Sequence, residues 1–158
     1  MKTSTPATAL IDALDERQIS YELIPHRRTQ SAAAEARAVG VDPAHVAKTL
    51  VLSTGDEFVL AVLPASERID LRKVRDVLAI DDVKLASEQV LAGAFPEYEL
   101  GAVPPIGGAG RDRVLVDRRV RDVGWVVFEA GTHEQSMRMK AADLVDVASA
   151  TVADICQS

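Results

Sequence analysis

Lys48 leads into an apolar run at 49–52, and a Gly55-Asp56 turn separates it from a second such run at 58–63. This spacing predicts a buried hairpin with an ammonium at its open end. A lysine there either reaches solvent along its alkyl stem or faces a cleft where a negative group arrives. Residues 101–110 read Gly-Ala-Val-Pro-Pro-Ile-Gly-Gly-Ala-Gly, too rich in breakers for a regular element. Gly131-Thr132-His133 makes another turn, and His26 closes a short apolar strand. A cation, loop amides and a few histidines suit an already activated substrate such as an ester, which the protein positions while stabilising an oxyanion. The plainer readings stay open. His133 also fits an ordinary turn histidine, and Gly101, Gly107 and Gly131 fit backbone positions that need positive φ.

Other chemistries find less support. His26, His45 and His133 are scattered and the lone thiol, Cys156, lies near the C-terminus, so no metal set is expected. The glycine-rich loop has neither a dinucleotide fingerprint nor a Gly-Lys-Ser/Thr phosphate loop, and no cofactor is expected. No serine sits in a Gly-x-Ser-x-Gly elbow. Cys156, among small residues, reads as a packed and inert thiol.

The 158 residues, 47% of them hydrophobic, suffice for one domain with a proper core over 1–158. A net charge of −6 argues against non-specific coating of nucleic acid, though not against gripping one end of an RNA. Basic residues still gather at 26–28, 111–113 and 118–121, where they either meet an acceptor stem or form solvated loops. One cysteine fits a reducing compartment. No apolar run approaches membrane-spanning length and residues 1–9 do not read as a secretion signal, so a cytoplasmic location without membrane partners is expected.

The elements that must position these residues follow from pattern. Leu10, Ile11 and Leu14 give a first amphipathic helix, and 19–24 alternates as a strand. Thr29 or Ser31 caps an Ala-rich helix over 32–39 that Gly40 ends, and Asp42-Pro43 starts a single turn. Asp70 caps a helix with Leu71, Val74, Val77 and Leu78 on one face. A short strand at 83–85 and a helix from Ser87 to about Leu91, ended by Gly93, come next. Strands at 114–117 and 125–128 are separated by a charged turn at 118–122, a further strand covers 136–139, and a last helix starts at Ala142. The expected fold is α+β, a curved mixed sheet, largely antiparallel, with helices packed outside. The cleft is expected where Lys48, the 101–110 loop and the Gly131-Thr132-His133 turn converge.

In their order, Ala47-Lys48-Thr49-Leu50-Val51-Leu52, the 59–64 run with Ile69-Asp70-Leu71, Gly101-Ala102-Val103-Pro104-Pro105-Ile106-Gly107, Val114-Leu115-Val116-Asp117 and Ala130-Gly131 before Asp143-Leu144 carry a resemblance. The chain resembles the YbaK/prolyl-tRNA synthetase editing-domain family of aminoacyl-tRNA deacylases over about residues 20–146. The resemblance implies a free-standing hydrolase that removes a wrongly attached amino acid from the 3′ end of tRNA. It implies that Lys48 engages the terminal phosphate or ester region. Gly101 and 105–107 match the loop that wraps the aminoacyl group, and water is positioned by the substrate ribose hydroxyl and by backbone. His133 matches a histidine beside the amino-acid pocket of alanine-editing members. His26, Thr49, Gly101, Pro105, Gly107, Gly131 and His133 are thus the substrate-binding candidates, with Lys48 the catalytic one.

Departures from the cysteine-directed branch are Ala102 and Pro104, where that branch carries glycine and serine, and Ser136 in place of an acidic residue. They point away from a cysteinyl substrate, while His133 leans toward a small side chain such as alanine, with serine as a near relative. The expected partner is the aminoacylated acceptor end of tRNA, with a synthetase as a second. Two rivals remain: a non-catalytic module of the same fold that holds aminoacyl-tRNA or a synthetase, and a hydrolase for another ester.

Overall fold

The computed structural model describes residues 8–95, 98–99, 102–105 and 113–158. The chain opens with α1 (Thr8–Glu16), β1 (Tyr21–Pro25) and α2 (Ala32–Val39). Ser31 caps α2 by accepting from the amide of Ala34, and Gly40 ends it at φ 76°, a conformation that costs glycine little. Asp42 caps a 3-10 turn, Pro43–His45, through the amide of Ala44. That turn delivers the chain into the hairpin of β2 (Ala47–Ser53) and β3 (Phe58–Pro64), paired from Ala47 opposite Pro64 to Ser53 opposite Phe58.

Then come α3 (Leu71–Leu78), β4 (Lys84–Leu85) and α4 (Glu88–Ala94). Asp70 caps α3, accepting from the amides of Arg72 and Lys73. Gly93 lies inside α4 rather than ending it, and Phe95 is the capping position. The last elements are β5 (Arg113–Asp117), α5 (Arg118–Asp122), β6 (Trp125–Thr132), β7 (Gln135–Lys140), α6 (Ala141–Val147) and β8 (Thr151–Ala153). Segment 118–122 is thus a helical turn, because Asp117 caps it through the amide of Arg119.

The fold is mixed α+β, as expected. Its strands form a three-stranded sheet ordered β1-β7-β6 and a five-stranded sheet ordered β4-β2-β3-β5-β8. A parallel bridge between Val46 and Val127 touches the two together. Four of the strand pairs are antiparallel, while β3 with β5 and β5 with β8 run parallel. Strand β3 is buried from Val59 to Pro64, which explains its unbroken apolar run: both faces are covered. The larger core lies between the sheets, where Leu10 and Leu14 of α1 and Leu144 of α6 meet Val62, Phe128 and Met137. A smaller core packs Val74 of α3 against Leu52, Ala61 and Leu115.

Asp117 ties the end of the chain to this frame. Its carboxylate, 0% exposed, accepts from the amides of Arg119 and Ile155 and from the Arg119 guanidinium, which also reaches Asp154. Cys156 is buried beside it, and burial first, then that carboxylate, push its thiol up to about 12. Such a thiol stays protonated and inert.

Candidate functional site

Antiparallel alternation decides what the open edge of β2 presents. Val46 accepts from the amide of Ala65, so by register Lys48 and Leu50 turn their backbone groups toward β3. The amide and carbonyl of Thr49 therefore point the other way, as does the carbonyl of Val51, which accepts from Ala86 at 2.9 Å. Strand β4 covers this edge only at Leu52 and Ser53. Beside the uncovered part lies a pocket of about 460 Å³. One wall is residues 47–50, a second is Gln30, Ser31, Ala32 and Glu35 at the start of α2, and a third is Phe128, Glu129 and His133. Glu88 and Leu91 of α4 and Val103 close the remainder.

Backbone hydrogen bonds hold three loops around this hollow. Thr29 donates its amide to the carbonyl of His133 at 3.1 Å, Glu99 to that of Gly131 at 2.9 Å, and Gly131 to that of Ala102 at 3.0 Å. Gly131 has φ 93°, so its glycine is needed for this turn. Arg28 pairs with Glu99 at 2.9 Å, and Glu99 also accepts from the amide of His133. Burial alone would raise the Glu99 carboxyl, but those two donors hold it below its ordinary value.

The sequence candidates separate clearly. Lys48, Thr49 and His133 line the one pocket, and Val103 brings the described part of the glycine-proline loop to it. Gly131 sets the turn behind His133. Pro105 is buried but is not part of the pocket wall, while Gly101 and Gly107 lie outside the described residues. His26 stands behind the wall, its ring held by Ser136 and by the carbonyl of Arg27.

Lys48 has a divided position. Strand alternation sends its side chain, like those of Leu50 and Leu52, toward the α3 side, whereas Ala47 and Val51 face the larger core. Its amine donates to the carbonyl of Ala65 at 3.5 Å, a long contact, and makes no ion pair among the described residues. Burial lowers its pKa, with the charge of Arg68 adding and that of Glu67 opposing. The ammonium is thus partly desolvated and weakly held.

Two carboxyl groups in the pocket were not legible from spacing. Glu129 lies 3.1 Å by either oxygen from His133 Nδ1 and accepts from Thr29 at 3.5 Å. Burial raises it, with His133 opposing. Glu35 is 1% exposed and accepts from the hydroxyl of Ser136. Burial pushes it up to about 7, against that hydrogen bond and with the charge of Glu129 adding. The only sequence signal was one acid in the Ala-rich stretch 32–39. Among the described residues no three His, Cys, Asp or Glu side chains cluster as metal ligands would.

A raised carboxylate has a stability consequence. The native state holds the Glu35 proton more tightly than the unfolded chain does, so its contribution is fully present below about pH 4.5 and is lost as pH rises to about 7. Glu35→Gln should accordingly flatten the fall in melting temperature between pH 5 and 8. An unchanged difference between those two melts would contradict the raised pKa.

The basic groups read as RNA-facing are partly spent inside the protein. Arg118 and Arg119 pair with Asp154, Arg121 with Asp122, and Arg113 with Glu57. Arg111 lies outside the described residues.

Comparison with known proteins supplies the class of domain. The chain belongs to the aminoacyl-tRNA editing domain family, which matches residues 26–147. It is 30% identical over 115 residues to a proline--tRNA ligase of Streptococcus pyogenes serotype M1, covering 73% of this chain and 18% of that protein. A proline--tRNA ligase of Streptococcus mutans serotype c is 27% identical over 90 residues, covering 57% of this chain and 14% of that one. The chain thus spans under a fifth of these relatives. A solved structure described as a candidate trans-editing enzyme for prolyl tRNA synthetase shares the fold at TM-score 0.84, with 22% identity over 99% of this chain and all of the other. No helix among the described residues is long and apolar enough to cross a membrane.

Proposed function

We propose that the chain is a free-standing aminoacyl-tRNA deacylase that hydrolyses the ester of a wrongly attached small amino acid, alanine or serine, in the cytoplasm. The observation that carries this reading is the convergence of Lys48, Thr49 and His133 on one hollow beside an uncovered strand edge. At about 460 Å³ the hollow suits an amino acid with its ribose. Outward-facing backbone groups of Thr49 can hold the aminoacyl end, and His133, fixed by Glu129, narrows the side-chain space. Lys48 engages the phosphate or ester region of the tRNA 3′ end. Water adds to the carbonyl carbon and the ribose oxygen leaves with a proton, aided by the neighbouring ribose hydroxyl and loop amides. Gly101, Pro105 and Gly107 would supply the rim, and His26 and Gly131 would support the wall.

The turn of the Lys48 amine toward the carbonyl of Ala65 favours a second reading, a module that holds aminoacyl-tRNA or a synthetase without hydrolysis. One assay separates the two. Purified protein is incubated with correctly and incorrectly charged tRNAs and the loss of amino acid is followed. Catalytic turnover confined to small mischarged residues supports the enzyme; binding without turnover supports the module. His133→Ala is expected to lower the preference for alanyl over larger aminoacyl esters by about tenfold, the range a hydrophobic pocket commands. An unchanged ratio of kcat/KM values would remove His133 from selectivity.

A further inference from the structure

The hydrogen bonds that meet at Ser136 limit where the protons of its neighbours sit. His26 Nδ1 lies 2.6 Å from the carbonyl of Arg27, and a carbonyl only accepts, so Nδ1 carries a hydrogen. His26 Nε2 lies 2.9 Å from Ser136 Oγ, and Ser136 also bonds Glu35 Oε2. A hydroxyl has one hydrogen to give. Two arrangements satisfy every partner. In one, an imidazolium donates to Oγ and the hydroxyl donates to a Glu35 carboxylate. In the other, the hydroxyl donates to a neutral imidazole and the Glu35 carboxylic acid donates to Oγ. Both hold the same protons and interconvert by moving two hydrogens along the chain.

The trio therefore stores one proton between the pocket wall and His26, which is only half-buried. Ser136 is fully buried, and Glu35 Oε1 accepts no hydrogen bond among the described residues while the residue lines the pocket. We propose that Glu35, Ser136 and His26 form a proton relay in which Glu35 is the general base for the water that cuts the acyl bond. This deepens the deacylase reading and rests on it. Glu35 takes one proton from water as the water oxygen bonds the carbonyl carbon. It returns that proton to the ribose oxygen as the ester C–O bond breaks, so no net proton is consumed at the relay. Ser136 and His26 are positioning residues: the shared hydroxyl couples the buried Glu35 carboxyl to the imidazole ring. The charges acting on Glu35 are those of Glu129 of β6 and His133 in the following turn, and Lys48 of β2 and Glu88 of α4 line the same pocket. Burial that brings Glu35 to about 7 suits a base working near neutrality.

The test is the pH profile of single-turnover deacylation, corrected for spontaneous hydrolysis, for wild type, Glu35→Gln, Ser136→Ala and Ser136→Thr. Wild type should rise with pH and level off near 7. Glu35→Gln should lose about a hundredfold and the levelling with it. Ser136→Ala should move the limb upward by about one unit, since the hydroxyl favours the carboxylate, and Ser136→Thr should restore it. In the substrate-free protein, the Glu35 carboxyl followed by NMR as pH is varied should titrate higher in Ser136→Ala than in wild type. Should Glu35→Gln fail to fold, the serine pair and the titration decide. A wild type active on mischarged tRNA, with Glu35→Gln giving the same profile or Ser136→Ala leaving the Glu35 carboxyl unmoved, overturns the relay alone. A wild type inactive on every charged tRNA overturns the deacylase reading and the relay with it.

Discussion

Lys48→Ala is expected to lower kcat/KM for deacylation by about a hundredfold or more while leaving the melting temperature nearly unchanged. The ammonium sits where burial disfavours its charge, and it makes no ion pair among the described residues. A phosphate or developing oxyanion would meet a cation poorly screened by water, where such an interaction is worth several kcal/mol. The long bond to Ala65 is weak enough to give up on substrate binding. Removing it costs the fold little, because Lys48 contributes its backbone, not its amine, to the β2–β3 ladder. Lys48→Arg should not restore activity, since a planar fork differs from a compact ammonium in reach and geometry. Steady-state and single-turnover rates beside thermal melts check this. Activity within threefold of wild type would remove the lysine from the mechanism.

Asp117→Ala should be the most damaging change to stability, by about 3–5 kcal/mol. The carboxylate is buried, caps α5, receives the amide of Ile155 and holds the Arg119 guanidinium. Truncation leaves that amide without its acceptor and a cation without one of its carboxylates. The C-terminal stretch carrying β8 would lose its anchor to β5. The sign of the pH dependence follows. Burial would raise this carboxyl, but the two amides and Arg119 outweigh it and hold it below its ordinary value. Its contribution is therefore present above about pH 4 and is lost as pH falls through the depressed native value. Denaturant unfolding at pH 7 and pH 3 should show the mutant closer to wild type in acid. A loss under 1 kcal/mol at pH 7 would contradict the anchor.

What the sequence disclosed was mostly local. Ser31, Asp42 and Asp70 announced helix starts because capping acts within a few residues, and Gly40 marked an end for the same reason. The hairpin of 47–64 was legible from two apolar runs and a short turn. Gly93 misled, because a glycine can lie within a short helix where nothing packs against it. The three residues of β8 carry too little pattern to read, and only a parallel partner 36 positions earlier makes them a strand: Thr151 faces Leu115. The division into two sheets follows from α5, whose cap at Asp117 redirects the chain between β5 and β6. Within the site, Lys48 and the Gly131-Thr132-His133 turn stood out by their places in the pattern, while Thr49 and the individual roles came from resemblance. Glu35 did not come at all and Ser136 came only as a departure from the family pattern, since their bond joins residues 101 apart and no local rule reports it.

The central claim is that the hollow beside Thr49 takes the aminoacyl end of tRNA. A non-hydrolysable 3′-alanylamide of adenosine, titrated into isotopically labelled protein, tests it most directly. The expected result is saturable shifts centred on Thr49, Glu129 and His133, weakened in Lys48→Ala. Saturable binding that leaves those three residues unmoved and perturbs another face would contradict it.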